Sequence, residues 1–369
     1  MAKATFRKIA KTAIIIVTII VVIFFLMACF SPWLSPASFW WIGFAALIVP
    51  YLVLLLILAF VFFLAVKPRL TLIPLITLLV GWKQVTVIFG IHIKSEFNKT
   101  KPENSLRIVD WNIRSFNGPD NNKLTKKYTR EDVAESIEGL DPDIICLQEF
   151  NNAYHPESDN ISLFKKKYPY YFFSRDYHRA KGNYESGCII FSKYAIIDSG
   201  KVKYPTAESL IYVDIVKGND TTRIYTTHLQ SFKFKKVDYD DLEKIRQQEE
   251  DALIASKNIF QKMKLAFKRR SVQANMIRDE MDKCTHPSVI SGDFNDVPGS
   301  YAYFRIKEGR QDAFLQKGFG IGRSFVALAP TLRIDYILPD SHFDVLQFGM
   351  IDENLSDHIM LVSDIRLKK

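Results

Sequence analysis

From Thr12 to Val66 the chain carries no charged side chain. A soluble core does not need an uncharged run of that length. A bilayer does: a helix rising about 1.5 Å per residue crosses about 30 Å of hydrocarbon with about 20 apolar residues. Thr12–Phe30 supplies one such span and Ile42–Val66 a second. Between them, Ser31-Pro32-Trp33-Leu34-Ser35-Pro36 reads as an interfacial turn, with Trp33, Trp40 and Trp41 placed as an aromatic belt. Lys67-Pro68-Arg69 interrupts the pattern, and Leu70–Trp82 resumes it, extended by Val85–Ile93 past Lys83 and Gln84. This third segment, about 70–91, either crosses as a tilted helix or ends near Trp82 and continues in the interface.

Lys3, Arg7, Lys8 and Lys11 precede the first span, and no small-residue cleavage pattern follows it, which favours an anchor over a removable signal. Positive residues lie before the first span and after the second, while the loop between them has none, so the positive-inside rule places the N-terminus in the cytoplasm. Three crossings then put the rest of the chain outside, in a periplasm or its equivalent, as in a multi-pass protein of a bacterial inner membrane. Two crossings would leave it cytoplasmic; the three-crossing, periplasmic arrangement is the one expected. Residues 1–93 are thus expected to be the anchor (spans about 12–30, 42–66 and 70–91), 94–105 a polar linker, and 106–369 the catalytic domain.

Beyond the linker, short runs rich in Ile, Val and Tyr alternate with polar segments. Strands are expected at Arg107–Trp111, Asp143–Leu147, Cys188–Ser192, Tyr212–Val216, Arg223–Thr227, Val289–Ser291, Asp335–Leu338 and Ile359–Ile365. Val133, Ile137 and Leu140 keep helical spacing after Thr129, and Asp132 three residues on completes a capping-box pattern. Asp238 to Cys284 reads as two helices with a basic joint at Lys268-Arg269-Arg270. The four cysteines form no C-x-x-C pair, which sets aside zinc-ribbon and thiol-redox chemistry.

Five strand-like segments abut amide, carboxylate or imidazole side chains: Asp110-Trp111-Asn112, Gln148-Glu149, His228, Gly292-Asp293-Phe294-Asn295 and Asp357-His358. Each alone is more ordinarily a cap, an Asx-turn or a structural histidine. Five together are harder to assign to capping. Oxygen ligands with few His and no Cys pairs favour a hard cation, Mg²⁺ or Mn²⁺, over zinc. Such an ion serves phosphoryl groups, with neighbouring His and Asp handling the attacking water and the leaving oxygen. No Walker, G-x-S-x-G or H-E-x-x-H pattern is present, which removes the commonest NTPase, serine-hydrolase and metalloprotease readings.

The motifs Ile108-Val109-Asp110-Trp111-Asn112, Ile145-Cys146-Leu147-Gln148-Glu149, Ser186-Gly187-Cys188-Ile189-Ile190-Phe191-Ser192, Thr227-His228-Leu229-Gln230, Ser291-Gly292-Asp293-Phe294-Asn295, Arg333-Ile334-Asp335-Tyr336-Ile337 and Ser356-Asp357-His358 resemble, in order, those of the endonuclease/exonuclease/phosphatase superfamily. The resemblance covers about Leu106–Leu367. It implies an α/β fold, a four-layer sandwich of two mixed β-sheets flanked by helices, here preceded by N-terminal transmembrane helices. It also implies hydrolysis of phosphodiester bonds in a nucleic acid or a phospholipid headgroup.

Carried over residue by residue, the resemblance makes Glu149 the metal-binding glutamate, Asn112 the amide supporting metal and phosphate, and Asp357 a further ligand. Asp293 and Asn295 resemble the pair that orients water and phosphate. His358 resembles the phosphate-contacting histidine or base, with Asp335 holding its tautomer, and His228 the second histidine that stabilises charge or protonates a leaving group. Arg114 and Phe150 stand where members specialised for abasic sites carry aspartate and lysine, which argues against that specialisation.

Two features leave room for other readings. Ser231–Lys283 contains Phe232, Lys233, Phe234, Lys235, Lys236, Lys262, Lys264, Lys268, Arg269 and Arg270, a set that either guides an anionic polymer or headgroup or lies on a solvated helical pair over a sheet edge. The net charge of +9 is accounted for mainly by span-flanking residues and scattered lysines. The alternative to an enzyme is a catalytically silent membrane scaffold, or a phospho-ligand-binding module, on the same fold.

Overall fold

In the computed structural model, which describes residues 2–93, 97–119, 129–180, 183–206, 208–234, 237–238, 247 and 252–368, two long apolar helices precede a layered α/β domain. Helix α1 spans Ala2–Ala28 and α2 spans Trp41–Val66. Ile9–Ala28 and Trp41–Val66 are both long and apolar enough to cross a membrane. After a short 3₁₀ turn at Pro68–Thr71, α3 runs over Leu72–Val80, and one more helical turn occupies Trp82–Val85.

The third segment therefore stops short of the expected 70–91. Gly81 separates its two helical pieces, and Gly90–Ile91 (β1) leaves helical conformation to pair with Phe319–Gly320 of the following domain. Gly81 is where α1 comes closest: a Cβ there would lie 2.2 Å from the Phe25 ring, so only glycine permits the approach. Outward faces of all three segments expose Ile16, Ile20, Leu54, Leu58, Ile76 and Leu79, while Phe25, Val49 and Leu56 are buried between them.

The domain contains two mixed sheets. The larger is ordered β13 (Phe343–Ile351), β14 (Met360–Leu367), β2 (Leu106–Asn112), β3 (Ile144–Asn152), β6 (Tyr184–Ser192) and β4 (Tyr170–Phe173), with β5 (Tyr177–Arg179) also on β6. The smaller is ordered β12 (Asp335–Pro339), β10 (Ser288–Asp293), β9 (Asp220–His228), β8 (Ser209–Lys217) and β7 (Ile196–Lys203). Among the described strands, only β2 with β3 and β9 with β10 run parallel. In β3, Ile144 and Cys146 face the opposite sheet beside Ile211, Val213 and Ile224, while Ile145 and Leu147 pack under the helices Arg130–Glu138 and Ile161–Lys165. Period-two alternation with both faces buried explains why these strands read as unbroken apolar runs.

The helices Ala252–Met281 and Tyr301–Lys307 cover the other side of the smaller sheet, giving four layers, helix, sheet, sheet, helix. The long helix is continuous through Lys268-Arg269-Arg270, so the expected break there is absent, and it covers a sheet face rather than an edge. Its predecessor in the expected pair falls largely outside the described residues, as do Lys235, Lys236 and the first linker residues. The capping box formed as expected: Thr129 Oγ1 accepts from Asp132 N at 3.2 Å, and Thr129 N donates to Asp132 Oδ2 at 2.8 Å.

Arg107, fully buried on β2, ties the linker to the core. Its Nε and Nη2 meet both carboxylate oxygens of Asp364 at 2.7 Å, and Nη1 donates to Lys99 O and Leu140 O. Arg107→Met strands a buried carboxylate, so denaturant unfolding of the detergent-purified chain should show a loss of about 3–5 kcal/mol. The double change with Asp364→Leu should recover most of it, and a single-variant loss below ~1 kcal/mol would contradict this account.

Candidate functional site

Parallel pairing places the C-terminal ends of β2 and β3 side by side, bringing Asn112 next to Gln148 and Glu149; the same pairing of β9 and β10 sets His228 directly opposite Asp293. Antiparallel β12 starts at Asp335, in register with Asp293. β14 begins just after His358 and runs antiparallel to β2, so His358 arrives at the same rim. All eight expected site residues are thereby gathered at one end of the facing sheets.

Local backbone re-aims two of them. Glu149 sits at φ 50° where β3 slips register against β6 between Leu147 and Phe150, and Asn295 sits at φ 51°. A bulge turns a side chain that would lie along the strand toward the rim, and positive φ is a local strain the surroundings must hold. The surroundings do so. Asn295 N donates to Asp293 Oδ1 at 2.8 Å and Asn295 Nδ2 to Leu229 O at 3.1 Å. Asn112 Nδ2 donates to Asp293 Oδ2 at 3.0 Å and reaches Glu149 Oε1 at 3.3 Å.

His358 Nδ1 lies 3.0 and 3.1 Å from the Asp335 carboxylate oxygens, while its Nε2 is 3.7 Å from Asp293 Oδ2. His228 Nε2 approaches the same Asp293 oxygen at 3.5 Å and Glu149 Oε1 at 4.0 Å, without a hydrogen-bond partner. Burial alone would keep the His358 ring neutral, but Asp335 and Asp293 outweigh it and hold its pKa at about 10. His228 is likewise raised, against burial, by Asp293 and Glu149. Asp293 is pushed up by burial and by Asp335, and the two histidines pull it back.

Among the described residues, the one group of three ligand-type side chains whose atoms lie within 4.8 Å of one another is Asp293, Asp335 and His358. Asp335 and His358 already satisfy each other, so that group reads as a hydrogen-bonded relay. The expected metal set is arranged differently. Glu149 keeps 39% of its side chain exposed at the mouth, and its ion-pair partner among the described residues is the His228 imidazole alone. Asp357 pairs with Arg114 Nε at 3.4 Å, and burial raises its pKa against the pull of His358 and Arg114.

Sequence reasoning assigned no role to several supports. Gln148 Nε2 bridges Asp110 Oδ1 and Thr226 Oγ1, both at 2.9 Å, stitching one sheet to the other beneath the site. Phe325 packs its ring 4.9 Å from His358. Arg270 is fully buried, donates to Asn295 O and lies 3.4 Å from Asp296, so it braces the loop that carries Asn295. Its place in a basic run was visible, but its burial was not. Leu47 of α2 also lines the cleft, beside Glu149, His228, Asp293 and His358.

A model of the endonuclease/exonuclease/phosphatase family matches residues 111–358. The chain belongs to this family. It is accordingly a hydrolase of phosphoric esters. Residues 11–88 separately match a domain of unknown function (DUF8431). No curated protein matches the chain.

Solved structures share the fold of the family domain at low identity. An endonuclease/exonuclease/phosphatase from Beutenbergia cavernae DSM 12333 is 21% identical, with a TM-score of 0.52 and 72% of each chain covered. The human Nocturnin catalytic domain with bound sulfate is 18% identical at a TM-score of 0.53, covering 74% of this chain and 97% of that one. A family protein from Bacteroides vulgatus is 18% identical at 0.50, covering 72% and 100%.

If Asp335 is what holds His358 protonated, Asp335→Asn should drop the imidazole midpoint from about 10 toward the ordinary range near 6.5. Titration of ¹⁵N-labelled histidine by NMR, on chelator-treated protein, reads this directly. An unchanged midpoint would refute the pairing.

Proposed function

We propose that the chain is a divalent-metal-dependent phosphodiesterase tethered to a membrane. The supporting observation is the Asp335–His358–Asp293 relay, which aims an imidazole into a cleft whose mouth carries the Glu149 carboxylate. A hard cation fits the donor set, because Glu149 offers an exposed carboxylate beside the Asn112 amide, with Asp357 as the further ligand and Arg114 its competitor. Mg²⁺ or Mn²⁺ bound there would supply charge stabilisation for the phosphoryl oxygens.

The protein's own groups would do the rest. His358, held as imidazolium by Asp335, donates to a phosphoryl oxygen through Nε2. Asp293, fixed by Asn112 and the Asn295 amide, accepts the proton of the attacking water. Asn295 holds the scissile phosphate in place, and His228, raised toward its charged form, gives a proton to the leaving oxygen. Hydrolysis of bis-p-nitrophenyl phosphate should require Mg²⁺ or Mn²⁺ and fall by about 10²–10⁴-fold in Glu149→Ala and in His358→Ala. Equal rates in wild type and both variants would leave a silent binding module as the better reading.

The tether is proposed to cross three times. Gln84 Nε2 donates to Ala28 O at 3.1 Å and to Ser31 Oγ at 2.6 Å, so the third segment ends beside the end of α1. If α1 and α2 cross, the segment between Lys67 and Gln84 has to return across the same bilayer. The domain then lies opposite the cytoplasmic N-terminus, in the periplasm of a bacterial cell. A C-terminal alkaline phosphatase fusion should be active and a C-terminal fluorescent protein fusion dark; the reverse pattern overturns the three-crossing topology.

A further inference from the structure

The catalytic cleft is walled in part by the anchor. On α2, Phe44, Leu47 and Tyr51 follow i, i+3, i+7 spacing and face the domain: Tyr51 Oη lies 3.3 Å from Thr331 Oγ1, and Leu47 lines the cleft itself. Ala46, in the same turn, is fully buried against Val297 and Ile334, which flank Asn295 and Asp335 in sequence. The apolar surface continues sideways. Phe44 meets Phe267 of the long helix at 5.0 Å, Phe267 meets Phe232 at 5.7 Å, and Phe232 stacks on Phe234 at the cleft.

The depth of this wall follows from helix length. The 26 residues of α2 extend about 39 Å, about 9 Å more than a typical hydrocarbon core. Lys67 follows Val66 directly and holds the far end at the other interface. The surplus of about six residues, Trp41–Ala46, therefore stands on the domain side, where Ile42, Gly43, Ala45 and Ala46 are buried. With α2 along the bilayer normal, Leu47 would lie near the level at which hydrocarbon begins, and it lines the same cleft as the polar cluster.

Among the described residues, several of the cationic groups nearby are already engaged and not free to line a track for a polyanion. Arg270 is buried, Lys262 pairs with Asp238, Lys264 sits over Trp40, and Lys233 lies 3.8 Å from Glu208. Binding of a nucleic acid rests on free Lys and Arg along its backbone. Beside the polar cluster this cleft is lined by Leu47, Phe232, Phe234, Phe325, Leu328 and Leu332, an apolar wall.

We infer that the phosphoester cleaved here is a membrane amphiphile, whose phosphate reaches the His358 and Glu149 cluster while its hydrocarbon chain stays in the bilayer against Leu47 and the exposed face of α2. This rests on the phosphodiesterase reading above and names its substrate class. It makes Leu47 a specificity residue belonging to the anchor.

The test uses the full chain in proteoliposomes with two chromogenic diesters, p-nitrophenyl methyl phosphate and p-nitrophenyl hexadecyl phosphate. Wild type should favour the hexadecyl ester by at least about tenfold in kcat/KM, and Leu47→Asn should reduce that ratio to near one. Leu328→Asn, at another position lining the cleft, should lower the ratio too, and the ratio is unaffected by any loss of folded protein. Equal kcat/KM for the two esters in wild type, an unchanged ratio in both variants, or faster degradation of supercoiled plasmid DNA than of the hexadecyl ester overturns this inference alone. No hydrolysis of either ester sinks the phosphodiesterase reading and the inference together.

Discussion

The contact on which the site depends is the one between His358 and Asp335. His358 leads into β14 of the larger sheet and Asp335 opens β12 of the smaller, so the 3.0 Å contact between them crosses the interface of the sandwich. Gln148 and Thr226 make a second crossing beneath it. No single motif can build this arrangement. It requires both sheets, stacked with the correct strand ends at one rim, which is why residues far apart in sequence converge only after the apolar core between the sheets has formed.

That dependence explains what could be read in advance. Strand ends carrying Asn112, Glu149, His228, Asp293 and His358 were legible because an apolar period-two run followed by a polar group is a local pattern. The order of motifs then specified the architecture. Glu149's bulge was not legible, since positive φ at a non-glycine residue leaves no trace in composition. The roles of the basic cluster were also hidden. Arg270 and Lys268 are near neighbours in sequence, yet helical rotation buries one under Phe232 and leaves the other off the core. Similarly, the apolar stretch 85–93 reads as more span because hydropathy cannot see that Gly90–Ile91 will pair with Phe319–Gly320.

The N-terminal apolar helices and the family domain are joined by specific buried contacts as well as by the intervening chain. Ser31 Oγ and Gln84 Nε2 both donate to Gly299 O, and Arg333 Nη2 donates to Val87 O at 2.6 Å while its Nη1 pairs with Asp312. Gly299 closes the loop that begins at Asp293, and Arg333 stands two residues before Asp335. A polar Gln84 buried among apolar helices costs free energy unless it is bonded, and the carbonyls it finds are those of Ala28 and Gly299. The position of the N-terminal helices is thereby tied to the backbones that lead from Asp293 and into Asp335.

This coupling gives meaning to the net charge of +9, which composition alone could assign equally to nucleic acid or to membrane. Charge informs about partners only when it is free to meet them. Around this cleft Lys262, Lys264, Arg269 and Arg270 of the long helix are engaged by Asp238, Trp40, Gln230 and the Asn295 carbonyl, and the polar site is flanked by aromatic and aliphatic side chains such as Leu47, Phe232, Phe234 and Leu328. Leu47 of the second apolar helix lines the cleft beside Glu149, His228, Asp293 and His358, so the uncharged run that opens the chain contributes a wall to the site as well as two helices long enough to cross a membrane.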